Sequence, residues 1–110
     1  MTAQKRTAAD KRTKRMRDSN QSDDFIKDWE RIERSGKHDM HRLKEAMLLL
    51  VANDAPLPPE WKDHQLKGKF EEYRECHIKG DLLLVYYIDK TSSGELIVFS
   101  RAGTHSELFK

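Results

Sequence analysis

Cysteine is almost missing from this chain: Cys76 is the one thiol in 110 residues. A single thiol closes no internal disulfide, which favours a reducing compartment. No apolar run approaches the roughly 20 residues of a membrane-spanning helix, and the N-terminus has no apolar signal core. The expected setting is the cytoplasm, with no membrane partner. Glycines are sparse: Gly68, Gly80, Gly94 and Gly103 stand alone and read as turn residues, so no glycine-rich phosphate loop is present. A serine-nucleophile signature is also missing. His64, Cys76, His77 and His105 are suitable zinc ligand types, but no Cys-x-x-Cys or His-x-x-x-His spacing joins them. In an extended segment Cys76 and His77 would also face opposite ways. The sequence therefore predicts neither a metal nor a cofactor.

What is present is unevenly spread. Hydrophobic residues make up 36% of the chain, and the shortage lies at its start: apart from Met1, Met16 is the only large apolar residue before Phe25. Charge divides at about the same point. Residues 1–17 hold seven Lys or Arg against Asp10 alone, whereas residues 18–110 hold fourteen bases against eighteen acids. This predicts a basic flexible extension over residues 1–13 and one domain over residues 14–110.

Within the domain, Lys14 to Asp18 is a candidate first strand of poor propensity. Ser22 or Asp23 can cap a helix that carries Phe25, Ile26, Trp29 and Ile32 on one face and ends at Gly36. A second helix starts near Asp39, buries Met40, Leu43, Met47, Leu50 and Val51, and stops at Asn53-Asp54 and Pro56. After a stiff connector with Pro56, Pro58 and Pro59 the period changes. Phe70 to Ile78 reads as a strand with one wet face, and Leu82 to Ile88 as a buried central strand. Thr91 to Gly94 forms a hairpin turn, and Leu96 to Phe99 is the next strand. The expected fold is α+β, two helices packed on an antiparallel sheet of about four strands.

Three short polar clusters in the second half carry His64, His77 and His105. Histidine is the side chain best suited to move protons near neutral pH. If Tyr73 to Ile78 is extended, Tyr73, Glu75 and His77 share one face, and an acid and a histidine two apart make a plausible acid–base pair. The plainer reading is a solvated strand face, with His64 and His105 as ordinary loop histidines. His38 and His41, at the start of the second helix, read as surface or capping residues.

Taken together, Trp61 to Gly68, Tyr73 to Ile78, Asp81 to Tyr86 and Arg101 to Phe109 resemble the YafQ branch of the RelE/ParE toxin superfamily. The match in order and spacing runs from about Phe25 to the end. The resemblance implies two helices against a curved antiparallel sheet, and an mRNA interferase of a type II toxin–antitoxin pair that cuts mRNA in the ribosomal A site. The implied catalytic residues are His64, Glu75, His77, Asp81 and His105; Lys62, Arg74, Arg101 and Phe109 are the implied RNA contacts. The implied partners are the ribosome, mRNA and a cognate antitoxin, a small DNA-binding protein encoded nearby. Glu75 departs from the usual Asp of the family, Gln65 from a frequent Pro and Ala102 from a frequent Thr. The alternatives are a non-catalytic ParE-like inhibitor of DNA gyrase, whose branch typically lacks this histidine set, and an inactive homologue that only binds its antitoxin.

Overall fold

A computed structural model describes residues 15–109; the expected basic extension over residues 1–13 lies outside them. The elements run β1 (Asp18–Gln21), α1 (Asp23–Ser35), α2 (Met40–Ala52), β2 (His64–Gln65), β3 (Arg74–Lys79), β4 (Leu82–Thr91), β5 (Gly94–Thr104) and α3 (His105–Leu108). The fold is α+β, as expected. The sheet has five strands in the order β1-β5-β4-β3-β2, and β1 runs parallel to β5 while the other pairs are antiparallel.

The two long helices form where their caps predict. The Ser22 hydroxyl oxygen accepts the Phe25 N–H at 3.0 Å, and Gly36 takes the left-handed conformation that releases the chain from α1. Asp39 caps α2 through the Arg42 N–H, and Asn53 ends it. Phe25 and Ile32 of α1 and Leu43, Ala46 and Leu50 of α2 join one core with Cys76, Ile78, Leu84, Tyr86, Ile97, Phe99 and Ala102 of the sheet. Ile26 is a correction: it is exposed, because it lies next to Phe25 in the helix and one step round from the buried stripe.

The first strand is displaced from its expected place at Lys14 to Asp18. It occupies Asp18–Gln21, in register with Leu96 to Phe99, so pairing with β5 decides its position rather than the weak propensity of its residues. The strand expected from Phe70 begins only at Arg74, because Gly68–Phe70 forms a 3-10 turn. The connector is pinned by Trp61, which is buried and lies under the Arg42 guanidinium at 3.6 Å from its ring centroid. Arg42 also donates to the Ile78 carbonyl, tying α2 to β3.

Two irregularities shape the sheet. Across β4, Val85 pairs with Arg101 and Tyr86 with Phe99, so Ser100 is an extra residue in β5; Ile78 is extra in β3 opposite Leu83 and Leu82. Beyond the first bulge β5 no longer has β1 beside it, and α1 takes over. The Asp28 carboxylate accepts the Ala102 N–H at 3.0 Å, and Arg31 donates to the Ala102 carbonyl at 3.2 Å. Two helix side chains thus complete the hydrogen bonding that a further strand would supply.

Candidate active site

The helices cover one face of the sheet, and the histidines gather on the other. Register places His64 of β2 opposite Glu75 of β3, Glu75 opposite Val85 of β4, and Val85 opposite Arg101 of β5. One row on, His77 pairs with Leu83, and Leu83 with Gly103, two residues before His105. The predicted alternation in β3 holds: Cys76 and Ile78 belong to the core, while Glu75 and His77 look away from it.

His64 was expected in a loop. It lies instead in the two-residue strand β2, because Lys62 takes a left-handed turn (φ 50°) straight after the anchored Trp61 and feeds the chain onto the edge of β3. The His64 Nδ1 lies 2.7 Å from the Lys62 carbonyl oxygen, and its Nε2 lies 3.2 Å from Glu75 Oε1. A carbonyl oxygen can only accept, so Nδ1 carries the hydrogen of the first contact. The second contact is then favourable only with a proton between Nε2 and Oε1. Glu75 is buried, and its Oε2 has no hydrogen-bond partner among the described residues. That oxygen is buried with its bonding capacity unused, and burial makes an unpaired acceptor costly.

His77 is half-buried, with its ring centroid 6.2 Å from that of His64. Its ring makes no hydrogen bond among the described residues, so both nitrogens are available. His105 is exposed at the first position of α3, a turn fixed by a capping box between Thr104 and Glu107. Its ring packs 5.2 Å from that of Phe109, which in turn meets Phe70 edge-on at 5.9 Å. Asp81 is exposed in the turn between β3 and β4, at the same end of the sheet as His105, since the adjoining Leu82 pairs with Thr104.

The two arginines have separate fates. Arg101 stands on the histidine side and is held by Asp28, its Nε at 2.7 Å from Oδ2 and its Nη2 at 3.2 Å from Oδ1. Its remaining N–H groups have no partner among the described residues. Burial alone would raise the Asp28 carboxyl; hydrogen bonds from Arg101, Arg31 and the Ala102 N–H outweigh it and hold the group below the usual carboxylate range. Arg74 lies on the opposite face beside Tyr86, with Nη2 at 3.3 Å from Asp63 Oδ2. There it ties the connector to β3, so the structure does not bring it to the other site residues. The Lys62 side chain is exposed near the edge, and it is the backbone carbonyl of Lys62 that meets His64.

Sequence reasoning missed Asp28 and Asp63. Asp28 had a readable signal: it lies three residues after Phe25 and four before Ile32, an acid on an apolar helical stripe. Among the described residues, no group of three or more His, Cys, Asp or Glu has an arrangement that could hold a metal ion.

Comparison with known proteins bears on the family and the fold. Residues 17–110 match the family described as bacterial toxin of type II toxin–antitoxin system, YafQ. The chain is similar to the mRNA interferase toxin YafQ of Escherichia coli (strain K12), 39% identical over 93 residues that cover 84% of this chain and 96% of that protein. Its fold is similar to that in the crystal structure of the E. coli DinJ–YafQ complex, with a TM-score of 0.75 and 38% identity over 86% of this chain and 99% of that one. A metal-bound toxin from Helicobacter pylori gives a TM-score of 0.73 at 40% identity, over 86% of this chain and 100% of that one.

Proposed function

Since the chain belongs to the YafQ family of toxins of type II toxin–antitoxin systems, we propose that it is a ribosome-dependent endoribonuclease that cuts mRNA in the A site. It acts in the cytoplasm, and a cognate antitoxin restrains it, as the E. coli relative is found in complex with DinJ. The observation that carries the reading is the gathering of His64, Glu75 and His77 on one sheet face, with His105 at the end of the strand two places along.

The chemistry asks for three things: a base for the 2′-OH proton, an acid for the leaving 5′-oxygen, and positive charge beside the phosphorane. His77 is the base, since its ring is not engaged by neighbours. His64 is committed at both nitrogens, to the Lys62 carbonyl and to Glu75, and holds that carboxylate in place on the same face as the base. His105 is the acid, with Asp81 at the same end of the sheet to stabilise its charged form. Arg101 adds a fixed guanidinium, and Phe109 stacks on a base. The nucleophile is the substrate's own 2′-OH, so DNA is not cut.

The test is to induce His77→Ala and His105→Ala singly in growing cells. Each is expected to lose growth arrest and to reduce mRNA cleavage by about 10²–10⁴-fold. If both variants still cut mRNA, the roles are wrong. Trapped gyrase–DNA complexes without mRNA cleavage would favour the ParE-like alternative.

A further inference from the structure

Beside the histidine row the same sheet face opens into a cavity of about 380 Å³ that the proposed proton transfers do not use. Val85 and Val98 of the sheet form its floor, four aromatic rings line it (Phe70, Tyr73, Tyr87 and Phe109), and Leu66, Leu108 and the acid Asp24 also border it. Tyr73 and Tyr87 meet edge-on, centroids 5.5 Å apart at 89°, and their hydroxyls have no hydrogen-bond partner among the described residues. Arg101, with its spare N–H groups, stands at the same cavity.

The cavity adjoins the proposed site directly. Tyr73 lies just ahead of β3, two positions before Glu75. Val85 of the floor lies across the ladder from Glu75, and Arg101 lies across from Val85. A phosphate between His77 and Arg101 would therefore have this cavity beside it.

We infer that the cavity is a nucleobase pocket, in which Tyr73 and Tyr87 receive the base of a nucleotide next to the scissile phosphate and help to set which sequences are cut. The chemistry of the lining fits such an occupant. A base has flat faces that stack on aromatic rings and a polar edge that needs donors and acceptors, which the free hydroxyls supply. An aliphatic side chain would leave those hydroxyls unpaired. This inference rests on the reading of the chain as an RNA-cutting enzyme, and it adds a recognition element to it.

Two measurements test it together. The first maps mRNA cleavage ends for the wild type, Tyr87→Ala and Tyr87→Phe. Tyr87→Ala should broaden nucleotide preference on one side of the cut and raise KM about tenfold, with the pH profile of kcat unchanged. Tyr87→Phe should keep KM and relax base choice. The second uses protein labelled with 3-fluorotyrosine and RNA trinucleotides methylated at every 2′-oxygen, which cannot be cut. The fluorine signals of Tyr73 and Tyr87 should shift on titration while that of Tyr86, buried on the other face, stays fixed. Unchanged preference and KM in Tyr87→Ala, or fluorine signals that do not move, overturn the pocket. Shifted signals in a wild type that cuts no mRNA leave the pocket standing and remove the nuclease reading; normal cutting with no shift does the reverse.

Discussion

Asp28 carries more of the site than its position in a helix suggests. It is 2% exposed and binds Arg101, Arg31 and the Ala102 N–H at once. Removing it strands the Arg101 guanidinium and a buried backbone donor, so Asp28→Ala should cost about 2–4 kcal/mol, read by urea unfolding. Its folded pKa lies below the ordinary 3.8. The stabilisation is therefore complete above that value and is lost as pH falls through the folded value. The gap between wild type and variant should be full at neutral pH and close in strong acid. Cys76 gives an independent reading of the core. Burial first, then the nearby Asp63 and Glu75 carboxylates, push its thiol up to about 12. Iodoacetamide at about pH 8 should leave the folded protein unmodified and alkylate it in urea.

The short elements position the chemistry, and they fail separately from the core. Thr104→Ala removes the cap of α3 and should cost only about 1 kcal/mol. Because α3 presents His105 and leads to Phe109, cleavage should fall by more than that loss of stability explains. Trp61→Ala should cost about 3–5 kcal/mol in thermal or urea unfolding and should also impair cutting, since the turn at Lys62 that delivers His64 starts from that anchor. These elements also mark how far the sequence could be read. Helices α1 and α2 were legible because periodicity and caps agree within each segment. Strand β4 was legible because its run from Leu82 to Ile88 is apolar without a break. Strands β1 and β2 were not, because neighbours create them: β5 sets the register of the first, and β3 that of the second. The alternation of β3 placed Glu75 beside His77, but the meeting of Glu75 with His64 depends on a turn that no local pattern announces. Arg74 and Arg101 look alike in sequence but stand on opposite faces of the sheet, one held by the half-buried Asp63 and the other by the buried Asp28.

Among the described residues, one sheet packs against the two long helices on one face and gathers His64, Glu75 and His77 on the other. Among the described residues no helix is long and apolar enough to cross a membrane. Because the proposed reaction uses the substrate's 2′-OH, a message with a 2′-deoxy nucleotide on the 5′ side of the cut should stay whole on ribosomes with the wild type; cleavage of that message would overturn the mechanism. The parallel contact of β1 with β5 has a further consequence, in the order in which the chain is made. Ser22, just after β1, donates its hydroxyl to the Ser100 carbonyl 78 residues on. Synthesis runs from the N-terminus, so β1 emerges early and waits unpaired until β5 follows. Arg101 and His105 arrive with or after that strand. The candidate site is therefore assembled only after β5 has been made, and a chain interrupted before that strand lacks both Arg101 and His105.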